Sequence, residues 1–451
     1  MWGKGMSEWI STTVGEIAAA SRNALVGGPF GSNLVSRDYT AEGVPVIRGQ
    51  NMGQRWVSGE FAFVSPEKAK SLQANLARAG DIVFTQRGTL GQVALVPEDT
   101  YDSYVISQSQ MKLTVDQTKA DPLFLYYVFL SPEQQEYIRQ NAIQVGVPHT
   151  NLGILRDTPV SLPPLDEQRA IAHILGILDD KIEQNRRTNE TLEAMARAIF
   201  KSWFVDFDPV RAKASGEPLE SICRRLGLTP NILDLFPDGL EEAEIGEIPA
   251  GWSVAPVGKL AEVVGGGTPS TKDEAFWNDG QHYWATPKDL SKLTTPVLLS
   301  SERKITDKGL AQIGSGLLPR GTVLLSSRAP IGYRAIAEVP IAINQGFIAM
   351  QPNQGVSRLF LLYWAEWAHQ EIVSRANGST FLEISKGSFR PIPVVTPPTS
   401  IFGAFDQLLG PIYQRMVCNE RETIALAEQR DTLLPQLLSG EIGVPVEEIM
   451  S

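Results

Sequence analysis

The sequence predicts a mixed α/β chain in which two similar globular units alternate with two long helices that pair as an antiparallel coiled coil about a pseudo-two-fold axis. Three observations carry this expectation. Most of the chain is written twice, a heptad seam recurs at a constant offset, and the segments between the helices consist of short β-type runs.

The repeat is visible in five places. VGEIAA from Val14 is echoed by VGKLAE from Val257, and GGPFGS at Gly27 by GGGTPS at Gly265. GDIVFTQRGTLG from Gly80 matches GTVLLSSRAPIG from Gly321, and LFLYY from Leu123 matches LFLLY from Leu359. VSLPPLDEQ around Pro163 and Pro164 matches VVTPPTSIF around Pro397 and Pro398, and each Pro-Pro pair opens a helical pattern. The divisions are a first globular unit at 1–163, a central helix at 164–207, a connector at 208–250, a second unit at 251–396, and a distal helix with the C-terminal tail at 397–451.

Within the globular units, Val44 to Ile47, Asp81 to Thr85, Gln92 to Val96, Val323 to Ser326 and Ala342 to Met350 read as strands. They are rich in β-branched or aromatic residues and bounded by Gly, Pro or Asp. Leu123 to Arg139, interrupted at Ser131-Pro132, and Leu359 to Arg375 read as helices. The connector is rich in Pro, Gly and acidic residues, which suits irregular chain.

The long helices carry the most specific pattern. Ile171, Leu175, Leu178, Ile182, Asn185, Asn189, Leu192, Ala196, Ile199 and Trp203 alternate steps of four and three. A shift of 234 gives Phe405, Leu409, Ile412, Met416, Asn419, Thr423, Leu426, Arg430, Leu433 and Leu437. A strict seam needs a partner to bury it, and the other copy supplies one. An axis near 187 and 421 places Asn185 against Thr423 and Asn189 against Asn419. A helix from Leu165 to Trp203 spans about 58 Å, more than the ~34 to 36 Å of one DNA turn. Phe200, Phe204, Leu434 and Leu438 are apolar positions beyond the seam, which marks them as a partner-docking surface. Phe207 fits docking or packing on the adjoining unit equally well.

Composition narrows the function classes. With 43% hydrophobic and 20% charged residues the chain is globular, and no apolar run reaches membrane-spanning length. The N-terminus lacks a signal-peptide pattern, so the cytoplasm is the expected compartment. Cys223 and Cys418, the two cysteines, exclude a disulfide framework and a multi-cysteine zinc site. The net charge of -11 argues against a polyanionic partner, but its distribution does not. Residues 164–248 and 397–451 carry -7 and -5, whereas 1–163 and 249–396 carry -2 and +3. The globular units are therefore free to face DNA. Methyltransferase, Walker A and His-Glu-x-x-His signatures are lacking, and four histidines lie scattered at 149, 173, 282 and 369. Asp289 with Glu302, Arg303 and Lys304 is the nearest approach to a metal-dependent nuclease site, and a solvated charge run explains it better.

LPPLDEQRAIAHILGILDDKIEQNRR from Leu162, AMARAIFKSWFVDFDPV from Ala194, IGEIPAGWSVAPVGKL from Ile245 and LLPQLLSGEI from Leu433 resemble the specificity (S) subunit of type I restriction-modification systems. The resemblance covers nearly the whole chain. One departure is PPTSIFGAF, where the family repeats a PL-EQ form. The resemblance implies two target-recognition domains, each reading half of a bipartite double-stranded DNA target. It also implies paired helices that dock two methyltransferase (M) subunits, with restriction (R) subunits joining through that complex. The chain itself is then non-catalytic and binds no cofactor, and S-adenosylmethionine, ATP and Mg serve the partner subunits. The alternatives are a single-chain DNA methyltransferase or nuclease, and a coiled-coil scaffold that binds no DNA.

Base reading favours Arg for guanine and Asn or Gln for adenine. In the first unit this selects Arg48, Gln50, Asn51, Gln86 and Arg87. The repeat aligns them with Thr286, Lys288, Asp289, Ser327 and Arg328, and Lys386 completes the DNA-binding set. The shared place of Arg87 and Arg328 suits phosphate positioning. The Gly-rich stretches suit either a phosphate cradle or tight turns near DNA.

Overall fold

The computed structural model describes residues 9–144, 148–378 and 382–449. The chain divides into two compact units, Met1–Ile182 with Ile424–Ser451 and Glu183–Thr423. Each contains a globular part and a stretch of both long helices.

In the first unit, Ile10–Thr13 pairs antiparallel with Pro159–Leu162, the strand that leads into Pro163-Pro164. A four-stranded sheet runs in the order Leu25–Gly27, Gln110–Leu113, Ile82–Thr85, Val93–Leu95. A five-stranded sheet has Val44–Ile47 and Tyr104–Ile106 side by side and parallel. The second unit repeats the plan. Ser253–Pro256 pairs with Pro393–Thr396, and Ala261–Gly265, Phe347–Pro352, Val323–Ser326 and Arg334–Ala337 are successive neighbours in one sheet. His282–Ala285 lies parallel to Ile341–Ile343. Ile82–Thr85, Val93–Leu95, Val323–Ser326 and Ile341–Ile343 are buried on both faces, which is why they read as continuous apolar runs rather than alternating ones.

Three expectations change. The run from Ala342 to Met350 is two strands, Ile341–Ile343 and Phe347–Pro352, because the Asn344 side chain closes a turn on the Gly346 N–H at 2.9 Å. The helix from Leu359 is two helices, Arg358–Trp367 and His369–Ser374. Residues 208–250 are not irregular. They form helices Asp208–Ala214, Leu219–Leu226 and Pro230–Leu233 and a hairpin of Leu240–Ala243 with Gly246–Pro249. Pro209 and Pro230 sit in first helical turns, and Gly227, at φ 65°, closes the second helix. Val210, Ile222, Leu233 and Phe236 are fully buried.

The long helices are Leu165–Phe204 and Thr399–Leu438, and every seam position in both is buried or half-buried. In the first unit Ile171 and Leu175 share a core with Leu434 and Leu437, while the Arg430 guanidinium donates to Asp179 Oδ1 at 2.7 Å. In the second, Phe200 and Trp203 contact Phe405, and Asn419 Nδ2 donates to Asn189 Oδ1 at 2.8 Å. Rising numbers on one helix meet falling numbers on the other, so the pairing is antiparallel in each unit. Asn189 meets Asn419 as the seam requires. The Asn185 amide donates to Glu422 Oε2, next to the expected Thr423, at 2.9 Å and to Asn419 O at 3.5 Å.

The PPTSIFGAF departure also has a physical form. Gln168 is buried at the start of the central helix, where its Oε1 accepts from Asp121 N at 3.0 Å and its Nε2 donates to Pro163 O at 2.8 Å. The position 234 residues on is Phe402, buried edge-on against Phe360. An apolar contact replaces a hydrogen-bonded anchor. Among the described residues, no helix is long and apolar enough to cross a membrane.

Candidate nucleic-acid interface

The same frame carries the candidate residues in both units. Where the parallel strands end, Ser107 N donates to Ile47 O at 2.9 Å, and in the second unit Asn344 N donates to Ala285 O at 3.0 Å. The next loop joins by the same bond: Gln86 N donates to Ser109 O at 2.7 Å, and Ser327 N to Gly346 O at 2.8 Å. The Gly-rich stretches press onto this frame. A Cβ on Gly28 would lie 1.9 Å from Ser107 O, and one on Gly266 would lie 1.9 Å from Ile343 O, so only glycine fits either place. Three loops per unit thus form one surface.

Two predicted readers point inward. Asn51 is 1% exposed; its Oδ1 accepts from Arg48 N at 3.0 Å, and its Nδ2 donates to Ser58 O and Glu60 O at 3.0 and 2.9 Å. Its counterpart Asp289 does the same work, accepting from Thr286 N at 2.7 Å and from Glu302 N at 2.8 Å. The aligned pair caps a turn in each unit and is spent on the fold. Ser327 is also buried, its backbone tied to Gly346 O and Ile384 N, so its hydroxyl is not presented to a base.

The remaining candidates reach the surface to different degrees. Gln50 is exposed, with Nε2 donating to Glu60 O at 3.1 Å. Gln86 is half-buried, with its Oε1 beside Gly27, and Arg87 is exposed. Arg48 is half-buried, and its Nε is enclosed without an acceptor. Thr286 is half-buried and its hydroxyl is committed to Asp289 at 2.8 Å. Lys288 is exposed but paired with Glu302 at 3.2 Å. Arg328 lies 3.5 Å from Glu383, and exposed Lys386 lies along Gly265. Lys292 and Lys288 hold the Glu302 carboxyl below its ordinary range, and Glu302 in turn raises Lys292. Asp289 and Glu302 are therefore occupied as a cap and an ion-pair partner, which is how the structure accounts for the nuclease-like cluster.

The docking residues require a correction. Phe200, Phe204 and Leu434 are 4%, 7% and 7% exposed, and Leu438 packs beside the first unit's core. The Phe204 ring touches Phe200, Trp203, Trp252, Phe360 and Phe405. Phe207 joins the same core. The globular part of the unit consumes the apolar surface that two helices alone would leave over. Accessible apolar side chains on the helices are instead Ile177, Met195 and Ile424.

Sequence reasoning missed a sixth repeated stretch, ISQSQ from Ile106 against INQGF from Ile343. Gln108 Nε2 donates to Gly31 O and Leu34 O, both at 2.8 Å, and the Gln345 side chain holds the Thr268 hydroxyl. Each glutamine braces the Gly-rich loop of its own unit. Arg303 over the Trp277 ring at 3.6 Å was also missed, because their contact joins positions far apart in sequence.

The family model described as the type I restriction modification DNA specificity domain matches residues 6–194 and 249–409. The chain belongs to that family. It is similar to the type I restriction enzyme HindI specificity subunit of Haemophilus influenzae, with 28% identity over 97% of this chain and 100% of that one. It is also similar to the MjaIX specificity subunit of Methanocaldococcus jannaschii, with 35% identity over 38% of this chain and 41% of the other. The S subunit from M. genitalium shares the fold, with a TM-score of 0.55 and 17% identity over 96% of this chain and 97% of that one. The two matched stretches cover the two globular parts, most of the central helix and the first turns of the distal one.

Proposed function

We propose that this chain is the non-catalytic DNA-recognition subunit of a type I restriction-modification complex. Each globular part reads one half of a bipartite target, and the helices set the spacing and dock two M subunits, with R subunits joining the assembly. The observation that carries this reading is the repeated three-loop surface. Residues 48–51 and 286–289, 86–88 and 327–329, and 27–33 and 265–271 occupy equivalent places on one frame with different side chains. Readers of two different half-sites need that arrangement.

Gln50, Gln86, Lys288 and Lys386 are the residues assigned to base and groove contact, and Arg87 and Arg328 to phosphates. S-adenosylmethionine, ATP and Mg belong to the partner subunits, and the complex works in the cytoplasm. The purified chain incubated with DNA and either S-adenosylmethionine or Mg is expected to leave the DNA unmodified and uncut. Addition of M subunits should bring methylation at a two-part sequence. Methylation or cleavage by the chain alone would overturn the non-catalytic assignment.

A further inference from the structure

Phe30 stands out on the first unit's reading surface. It is 76% exposed, the most exposed of the large apolar side chains in the described residues, and makes no ring contact among them. Exposure of that size on a loose loop would mean little. Here the loop is fixed on both sides of the ring: Asn75 Nδ2 donates to Gly27 O at 2.7 Å, and Gln108 holds Gly31 O and Leu34 O. Gly28 is seated against Ser107 with no room for a side chain. Gln86, a candidate base reader, lies against Gly27 of the same loop. In the second unit the aligned residue is Thr268, exposed on an equally braced loop, where Trp284 Nε1 donates to Gly267 O at 3.1 Å and Trp277 Nε1 to Ser270 O at 2.9 Å.

Resting on the DNA-recognition reading above, we propose that Phe30 is an aromatic wedge that packs on a base step of the first half-site. A rigid apolar ring gains by leaving water, and an unstacked base step offers it a flat apolar face. A hydroxyl at the same place in the second unit cannot do this. The two halves of the target are therefore read by different physics at equivalent loops.

The test uses the assembled complex of this chain with M subunits. Its DNA is a duplex carrying the motif found methylated in host cells, with 2-aminopurine placed at successive positions of the first half-site. Wild type is expected to raise the fluorescence at one step. Phe30→Ala should abolish that rise and weaken target binding roughly tenfold, while Phe30→Trp restores both and Thr268→Ala leaves the rise in the first half-site unchanged. Because Phe30 is on the surface, Phe30→Ala should melt with wild type. Fluorescence and affinity unchanged in Phe30→Ala would overturn the wedge alone. So would loss of M-subunit assembly in that variant, which would turn the ring toward protein instead. A wild-type complex that fails to prefer the motif over a scrambled duplex would overturn the DNA reading itself.

Discussion

Asn51 and Gln86 are both amides on loops of the first unit, yet Asn51 is buried and Gln86 only half-buried. Asn51 is enclosed by acceptors supplied by Ser58 and Glu60, residues seven and nine positions on. That folding-back is invisible in a one-dimensional pattern, so the sequence locates the loop but not the direction of the side chain. The difference is measurable. Asn51→Ala removes the donor to Ser58 O and the acceptor of Arg48 N and should lower stability by about 1 to 3 kcal/mol in chemical denaturation. Gln86→Ala should leave stability within about 0.5 kcal/mol and weaken DNA binding by the assembled complex. Arg87 and Arg328, at one aligned place, should behave alike. Replacing either with Ala should weaken binding to target and non-target duplexes equally and reduce the salt-dependence slope by about one. A change in sequence preference would move them from phosphates to bases.

The heptad seam is the element that sequence defined best, because a spacing of four and three over ten positions has one structural solution. The same periodicity says nothing of what covers the flanking positions. Phe200 and Phe204 look surplus to a two-helix pair, and the globular part then buries both. Phe204→Ala should thus cost about 3 to 5 kcal/mol and lower the unfolding midpoint, with any loss of M-subunit docking secondary. Equal stability with docking lost would restore the docking assignment. In mid-seam, Asn419→Ala leaves the buried Asn189 Oδ1 without its donor and should destabilise by about 1 to 3 kcal/mol. The double variant Asn189→Leu with Asn419→Leu should recover that loss while relaxing the register, seen as additional cross-links between cysteines placed one heptad apart.

For the whole molecule, the internal repeat made the alternation of units and helices legible, since two copies of a pattern constrain each other. The segment 208–250 was obscured by its Pro and Gly content, although its apolar residues are those of a packed element. Charge also acts at this scale. With -11 overall and the acid concentrated along and after the helices, the chain alone should bind DNA weakly, and M subunits should restore affinity. Tight specific binding by the isolated chain at physiological salt would contradict that. If the helices are a spacer, one heptad inserted into both should lengthen the gap between half-sites by about three base pairs, from about 10 Å of added rise. The most direct measurement of separate half-site reading is the methylome of cells carrying this chain and its M partner, wild type against Gln50→Ala with Gln86→Ala. A two-part motif is expected in wild type, with a change confined to one part in the variant. A motif altered in both parts, or one without two parts, would contradict separate half-site reading.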